Sequence, residues 1–314
     1  MKTKHLIPAL ALTAACMPSA HAVEGALGRP VSGMTINPFA GVVPPEPGFI
    51  FSVGEIYYTA DIGGGRPTPV GVNLALDLNA DISFTNLTLT YIWDTHSDCW
   101  NFASALSLPL AYVDVEANVS VGPRIGTRSE DEFGLFDIAF VPIQASYHIS
   151  KTSHLGFGLT VWAPTGDYDS SNLANLSLNN WTFIPSVSYT KLWMERGLEF
   201  SAAWGVQFYT ENKDTDYQNG VVSDLEATVI QRFPNGFGVG LIGSWIEQLS
   251  DDDGKTADTL NGFSGRAFGI GPILTYTKKF GDSQLDLNAR WIHEFEVENR
   301  FDGDVFSLSA GYKF

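Results

Sequence analysis

Residues 306–314 read Phe-Ser-Leu-Ser-Ala-Gly-Tyr-Lys-Phe and alternate throughout. Phe306, Leu308, Ala310, Tyr312 and Phe314 share one parity; Ser307, Ser309, Gly311 and Lys313 share the other. Strand side chains point alternately to two faces, so this stretch predicts a strand with one apolar and one polar face. The pattern recurs upstream. Leu198, Phe200, Ala202, Trp204, Val206 and Phe208 oppose Glu199, Ser201, Ala203, Gly205, Gln207 and Tyr209, and Leu285, Leu287, Ala289 and Trp291 oppose Asp286, Asn288 and Arg290. A chain written this way folds as sheet; what remains is which face meets water.

The connections decide that. The alternation predicts twelve strands, at about 49–59, 81–94, 102–112, 135–149, 154–163, 181–193, 198–209, 222–233, 237–249, 266–280, 284–297 and a last one ending at Phe314. Connections after odd strands are mostly long (60–80, 113–134, 164–180, 210–221, 250–265), and those after even strands short. Alternating long loops and tight turns, strands of ten or more residues and no later apolar run of about 18 residues fit a transmembrane antiparallel β-barrel, not a helical membrane protein. The expected class is therefore an all-β outer-membrane barrel of about 12 strands, with long extracellular loops and short periplasmic turns. The aromatic end at Phe314 is similar to the closing strand that the barrel assembly machinery reads. The net charge of −17 is concentrated in the long loops and excludes nucleic acid as a partner. Outer-membrane lipid is the expected surroundings.

Met1–Ala22 reads as a signal peptide, with Lys2 and Lys4, an apolar run and Ala20-His-Ala22 before the cleavage point. Residues 23–48 are Gly- and Pro-rich without period; they either hang in the periplasm or tuck into the barrel as a plug. The barrel is expected over 49–314. Downstream of the leader only Cys99 remains, which excludes an internal disulfide.

Trp93, Trp193, Phe233, Phe280 and Phe314 fall near one set of strand ends, and Trp162, Trp181, Phe208 and Trp245 near the other, as two aromatic girdles. Pro142, Pro185 and Pro272 interrupt strands. Proline removes a ladder donor, so each marks a bulge or a wall opening for an apolar solute. Inward parity gives the lumen Asp224, Glu226, Arg232, Asp286, Arg290, Glu294 and Glu296, with Asp224 and Arg290 as candidates for a network across it. Glycines at 156, 158, 238, 240, 269 and 271 share that parity and suggest space for a passage or an inserted segment.

Several stretches are too specific for generic loop: Pro164-Thr-Gly-Asp-Tyr168, Asn172-Leu-Ala-Asn175 with Trp181, Glu211-Asn-Lys-Asp-Thr-Asp-Tyr217 with Gly220, Pro234-Asn-Gly236, Asp252-Asp-Gly254, Gly269-Ile-Gly-Pro272, Glu294-Phe295, and Glu298-Asn-Arg300 with Gly303. Together they resemble the MetA-pathway of phenol degradation family from about Pro44 to Phe314, although Glu46 breaks the family's usual Pro-Pro-Pro-Gly. The resemblance implies an outer-membrane barrel with a transport role. The topology puts Asp167, Tyr168, Glu211, Asn212, Asp216, Tyr217, Glu298, Asn299 and Arg300 at the mouth, where they either fold the loops or line the entrance.

No Gly-x-Ser-x-Gly, His-Glu-x-x-His or phosphate loop is present, so no enzyme, cofactor or metal centre is expected. The favoured function is passive uptake of a small hydrophobic or aromatic solute. The alternative is a structural or surface-interaction barrel with a plugged lumen.

Overall fold

The computed structural model describes residues 27–63, 67–71, 73–121, 124–260 and 265–314. The expected signal peptide at 1–22 lies outside the described residues. The chain forms fourteen strands: β1 (Gly48–Ile62), β2 (Thr68–Val70), β3 (Asn73–Ile92), β4 (Trp100–Val121), β5 (Arg124–Leu135), β6 (Ile138–Ser150), β7 (Ser153–Ala163), β8 (Thr182–Trp193), β9 (Leu198–Tyr209), β10 (Val222–Arg232), β11 (Phe237–Gln248), β12 (Arg266–Phe280), β13 (Ser283–Glu298) and β14 (Asp302–Lys313).

Twelve of them make a closed antiparallel barrel. β1 pairs with β14 on one side and β3 on the other, and the pairing continues strand by strand to β4 and β6. Closure leaves no unpaired edge, the condition for a sheet to cross a membrane. β2 and β5 lie outside the ring: β2 pairs with the start of β3, and β5 with the far half of β4. The stretch 113–134, expected as a loop, is thus largely a hairpin that continues the barrel wall. Val113, Val115 and Ala117 keep the period of β4 beyond Tyr112, and all three are buried.

One end of the barrel carries the turns 93–99, 151–152, 194–197, 233–236 and 281–282; it is called the turn end here. The other, the loop end, carries the β4–β5 hairpin and segments 164–181, 210–221, 249–265 and 299–301.

The two faces are inverted relative to a water-soluble sheet. On β9, Trp204 and Phe208 are 47% and 46% exposed, while Glu199 and Gln207 are 0% and 1% exposed. An apolar outside and a polar inside suit a lipid-embedded barrel. Outside rings stack across strands, with Trp245, Phe268 and Phe295 spaced by 6.0 Å and 6.0 Å, and Trp291 and Phe306 by 6.2 Å. Trp162 is not in a girdle. It has the parity of Gly156 and Gly158, so its ring points into the lumen.

All three prolines coincide with breaks in the ladder. Around Pro142 the register shifts against both β4 and β7. Between β8 and β9 the pairs skip from Phe183–Phe208 to Ser186–Gly205, leaving Pro185 unpaired on that side. Between β12 and β13 they skip from Ile270–His293 to Ile273–Arg290, across Pro272.

Candidate functional site

Residues 27–47 cross the lumen as an irregular segment of turns and bends, and inward side chains take up backbone polar groups, which a buried irregular segment cannot leave unpaired. Near the turn end, Asn101 Nδ2 donates to the Val43 carbonyl at 3.1 Å, and the Gly41 amide donates to Thr190 Oγ1 at 2.9 Å. The Phe39 amide donates to Glu199 Oε1 at 2.6 Å, while Arg232 lies 4.1 Å over the Phe39 ring and pairs with Glu199 at 2.5 Å. Higher up, the Gly33, Thr35 and Ile36 amides all donate to Glu226, at 2.8, 3.1 and 2.8 Å. Arg290 Nη1 donates to the carbonyls of Gly33 and Ile36 at 2.6 and 2.8 Å. One carboxylate and one guanidinium thus clamp a single turn from its two polar edges.

Nearer the loop end, Ser32 Oγ donates to Glu294 at 2.5 Å, and Arg300 donates to the Pro30 carbonyl at 2.8 Å. Arg29 finishes the run. It bonds Asp137 Oδ2 at 2.7 Å and Thr182 Oγ1 at 3.1 Å, and its guanidinium carbon sits 4.9 Å from the Trp162 ring centre and 5.7 Å from that of Phe136.

The segment fills part of the lumen only. Between it and the wall from β3 to β10 lies a cavity of about 600 Å³. Toward the loop end its wall is apolar, with Leu78, Ile82 and Phe84 on β3, Val113 and Val115 on β4 and Phe136 before β6, whereas toward the turn end the same strands and β6 present Asn86, Thr88, Ser107 and Gln144; Trp162 and Leu173 close it toward the loops. Its other side is polar, with Ser186, Ser188, Gln207 and Asp224 from β8 to β10 and Thr35 and Asn37 from the segment. Phe157 and Trp204, whose side chains face outward, also belong to the lining, beside Gly158 and Gly205. Trp204 further borders an outer groove with Ser223, Leu225 and Trp245.

The residues singled out in the sequence divide by what they touch. Glu226, Arg290 and Glu294 bind the segment. Asp224 bonds Thr35 Oγ1 at 2.9 Å and Gln207 Nε2 at 3.0 Å and lines the cavity; it makes no direct pair with Arg290, which is turned to the segment. Asp286 bonds Thr277 at 2.6 Å and Gln284 at 2.7 Å, away from the cavity. Glu296 leaves the inward row because its φ is +49° at an irregular stretch of β13.

At the mouth, Tyr168 lines the cavity and accepts from Asn212 Nδ2 at 2.9 Å. Tyr217 is buried and donates to Asp252 Oδ2 at 2.5 Å. Glu298 pairs with Arg266 at 3.0 Å. Asn299 is half-buried with φ +48°, and Asp167, Glu211 and Asp216 are exposed on the loops. Of this group, Tyr168 alone borders the cavity.

The inward glycines also separate. A Cβ at Gly156 would meet Ser188 Oγ at 2.2 Å and the segment's Gly41 at 3.2 Å, and one at Gly269 would meet Ser244 Oγ at 2.6 Å, Ile292 at 2.8 Å and the segment's Ser32 at 3.0 Å, so both leave room for wall side chains and the inserted segment together. Gly240 and Gly271 sit against neighbouring backbone: a Cβ at Gly240 would lie 2.2 Å from the Val229 carbonyl oxygen, and one at Gly271 1.7 Å from that of Trp291. They serve strand packing, not a passage. Pro272 is likewise remote from the cavity; Val141 beside Pro142 and Ile184 and Ser186 beside Pro185 border it.

Sequence comparison places residues 60–310 in the family described as "Putative MetA-pathway of phenol degradation". The chain belongs to this family. Among solved structures it is similar to the COG4313 outer membrane channel from Pseudomonas putida F1, at 16% identity with a TM-score of 0.69, covering 89% of this chain and 100% of that one. That likeness shows the fold, an outer-membrane β-barrel. The Pseudomonas putida toluene transporter TodX (11% identity, TM-score 0.45, 94% of this chain and 99% of that one) and the CymD monoaromatic hydrocarbon channel (10%, 0.43, 94% and 97%) are more distant. No curated protein matches the sequence.

Proposed function

We propose that this family member is an outer-membrane channel for passive uptake of small hydrophobic or aromatic solutes. The cavity carries the reading. At about 600 Å³ it exceeds by several fold the roughly 150 Å³ in which a dry apolar cavity holds benzene. Its loop-end half is faced by apolar side chains of β3 and β4 with a few polar groups opposite, as in a binding slot for a largely apolar solute. On this reading the loop end is extracellular, with Tyr168 and the acidic loops at the entrance, and the turn end is periplasmic. Residues 27–47 narrow the lumen, so a solute leaves sideways beside Pro185, where the β8–β9 ladder lapses and Phe157 and Trp204 border the cavity. The terminal strand with Phe314 is the end that the assembly machinery would read. A structural barrel with a filled lumen has less support, since the space is left open along β3 to β10.

The test is initial uptake of labelled toluene and benzyl alcohol by porin-deficient Gram-negative cells with and without the protein, against Ala203→Trp. Ala203 borders the cavity. The wild type should raise uptake and the folded variant should not. Equal uptake with and without the protein would dismiss the channel.

A further inference from the structure

The charges around the cavity do not balance. Among the described residues its lining holds two charged side chains, Arg29 and Asp224. Arg29 is already neutralised: its Nη2 is 2.7 Å from Asp137, the two side chains are 2% and 0% exposed, and its flat faces meet Trp162 and Phe136. Asp224 has neutral partners, Thr35 Oγ1 and Gln207 Nε2, each giving one hydrogen bond to a different oxygen. A carboxylate has about four acceptor positions and no donor. Gly205 faces it across the ladder, and a Cβ there would come within 2.9 Å of Asp224 Oδ1, so glycine leaves room beside a carboxylate that borders the cavity although the residue is only 3% exposed. Glu226, two residues along the same face, adds negative charge, but the Gly33, Thr35 and Ile36 amides and Arg290 on the segment's far side engage that region.

We propose that Asp224 determines which solutes pass: the cavity takes uncharged aromatic compounds, including those with a hydroxyl that can donate, and rejects aromatic carboxylates. The inference rests on the channel reading above. The apolar wall formed by Leu78, Ile82, Phe84, Val113 and Phe136 receives the ring. The opposite side offers an acceptor to O–H and repels an anion, and like charges at contact distance in a narrow, poorly screened lumen oppose each other strongly.

The experiment compares benzyl alcohol with benzoate, which share a ring and differ in charge, in porin-deficient cells at neutral pH. Wild-type protein should favour benzyl alcohol over benzoate by at least about tenfold. Asp224→Asn keeps the shape and one acceptor oxygen while removing the charge, and its amide can donate to the Thr35 hydroxyl in place of the second acceptor bond; it should raise benzoate uptake severalfold and leave toluene uptake unchanged. Equal rates for the two solutes in wild type, or an Asn variant that folds and still excludes benzoate, would overturn the proposal while benzyl alcohol uptake kept the channel reading intact. Uptake of neither solute would overturn both. If the variant fails to fold, wild type alone decides: in planar bilayers across a sodium benzoate gradient the reversal potential should indicate sodium preference, and an anion preference would overturn the assignment.

Discussion

Arg29 Nη2 and Asp137 Oδ2 lie 2.7 Å apart, with both side chains almost wholly withdrawn from solvent. The bond ties the outermost part of the lumenal segment to the junction of β5 and β6. Asp137 is the centre of that junction. Its Oδ1 accepts the Thr165 and Gly166 amides at 2.9 and 3.1 Å, and its Oδ2 also accepts the Leu178 amide at 3.1 Å. One carboxylate thus holds the segment and two points of loop 164–181. Gly166 permits this packing: a Cβ there would lie 1.9 Å from the Leu176 carbonyl oxygen.

The two halves of the pair should therefore respond unequally. Asp137→Ala strands a buried guanidinium and frees three amides, and losing one partner of a buried pair costs about 3–5 kcal/mol. Arg29→Leu also gives up the bonds to Thr182 Oγ1 and the Asn180 carbonyl, but Asp137 keeps its three amide donors, so the loss is smaller, about 1.5–3 kcal/mol. Urea-dependent loss of the heat-modifiable band in detergent should rank Asp137→Ala as the weaker protein. The reverse order would mean that the ring contacts of Arg29 outweigh its ion pair.

The barrel was legible in the sequence because lipid imposes a period of two on every strand, and the residues of β9 and β13 carry it openly. The inward charges were legible by the same parity. What they bind was not. By parity Asp224 and Arg290 read as partners across the lumen until a backbone turn from residues 33–36 is placed between Glu226 and Arg290, and nothing in an aperiodic Gly- and Pro-rich stretch specifies that turn. Trp162 sits near a strand end as the girdle residues do, and only its parity marks it as lumenal. Asp137 gave no signal at all: its role comes from amides of residues 165, 166 and 178, which meet it only after folding. Val113 to Ala117 continued the β4 alternation, but a cluster of acids between them read as loop.

The segment's position is set by close backbone contacts, which gives a second prediction. A Cβ at Gly41 would lie 2.7 Å from the His154 carbonyl oxygen and 2.8 Å from the Thr190 nitrogen. Two paired strands cannot yield as readily as an irregular segment, so Gly41→Ala should displace residues 27–47 and leave the barrel closed. Single-channel conductance should rise, and protease should cut within the segment. Unchanged conductance with normal folding would mean that the segment is not what narrows the lumen.

Orientation can be checked with single cysteines in a Cys99→Ser background, needed because Cys99 is exposed. Asp253 and Asn235 lie at opposite ends of the barrel, on 249–265 and 233–236. An impermeant maleimide added to whole cells should label Asp253→Cys and spare Asn235→Cys until the outer membrane is permeabilised. Labelling in the reverse sense would invert the assignment of the two ends.

The sideways exit makes the sharpest structural demand. Pro185 has no amide hydrogen to donate, and the β8–β9 ladder skips both it and Ile184. Trp204 stands beside this gap, bordering the cavity and the outer groove alike, with its Nε1 donating to Ser223 Oγ at 2.8 Å. Trp204→Ala removes the bulk between the two spaces and should speed uptake of toluene. Pro185→Val restores a donor and a residue suited to a strand; it should knit the ladder and slow toluene uptake while making the barrel no less stable. Should Pro185→Val fold normally and take up toluene at the wild-type rate, the solute does not leave through this part of the wall, and the way out is past residues 39–47 at the turn end.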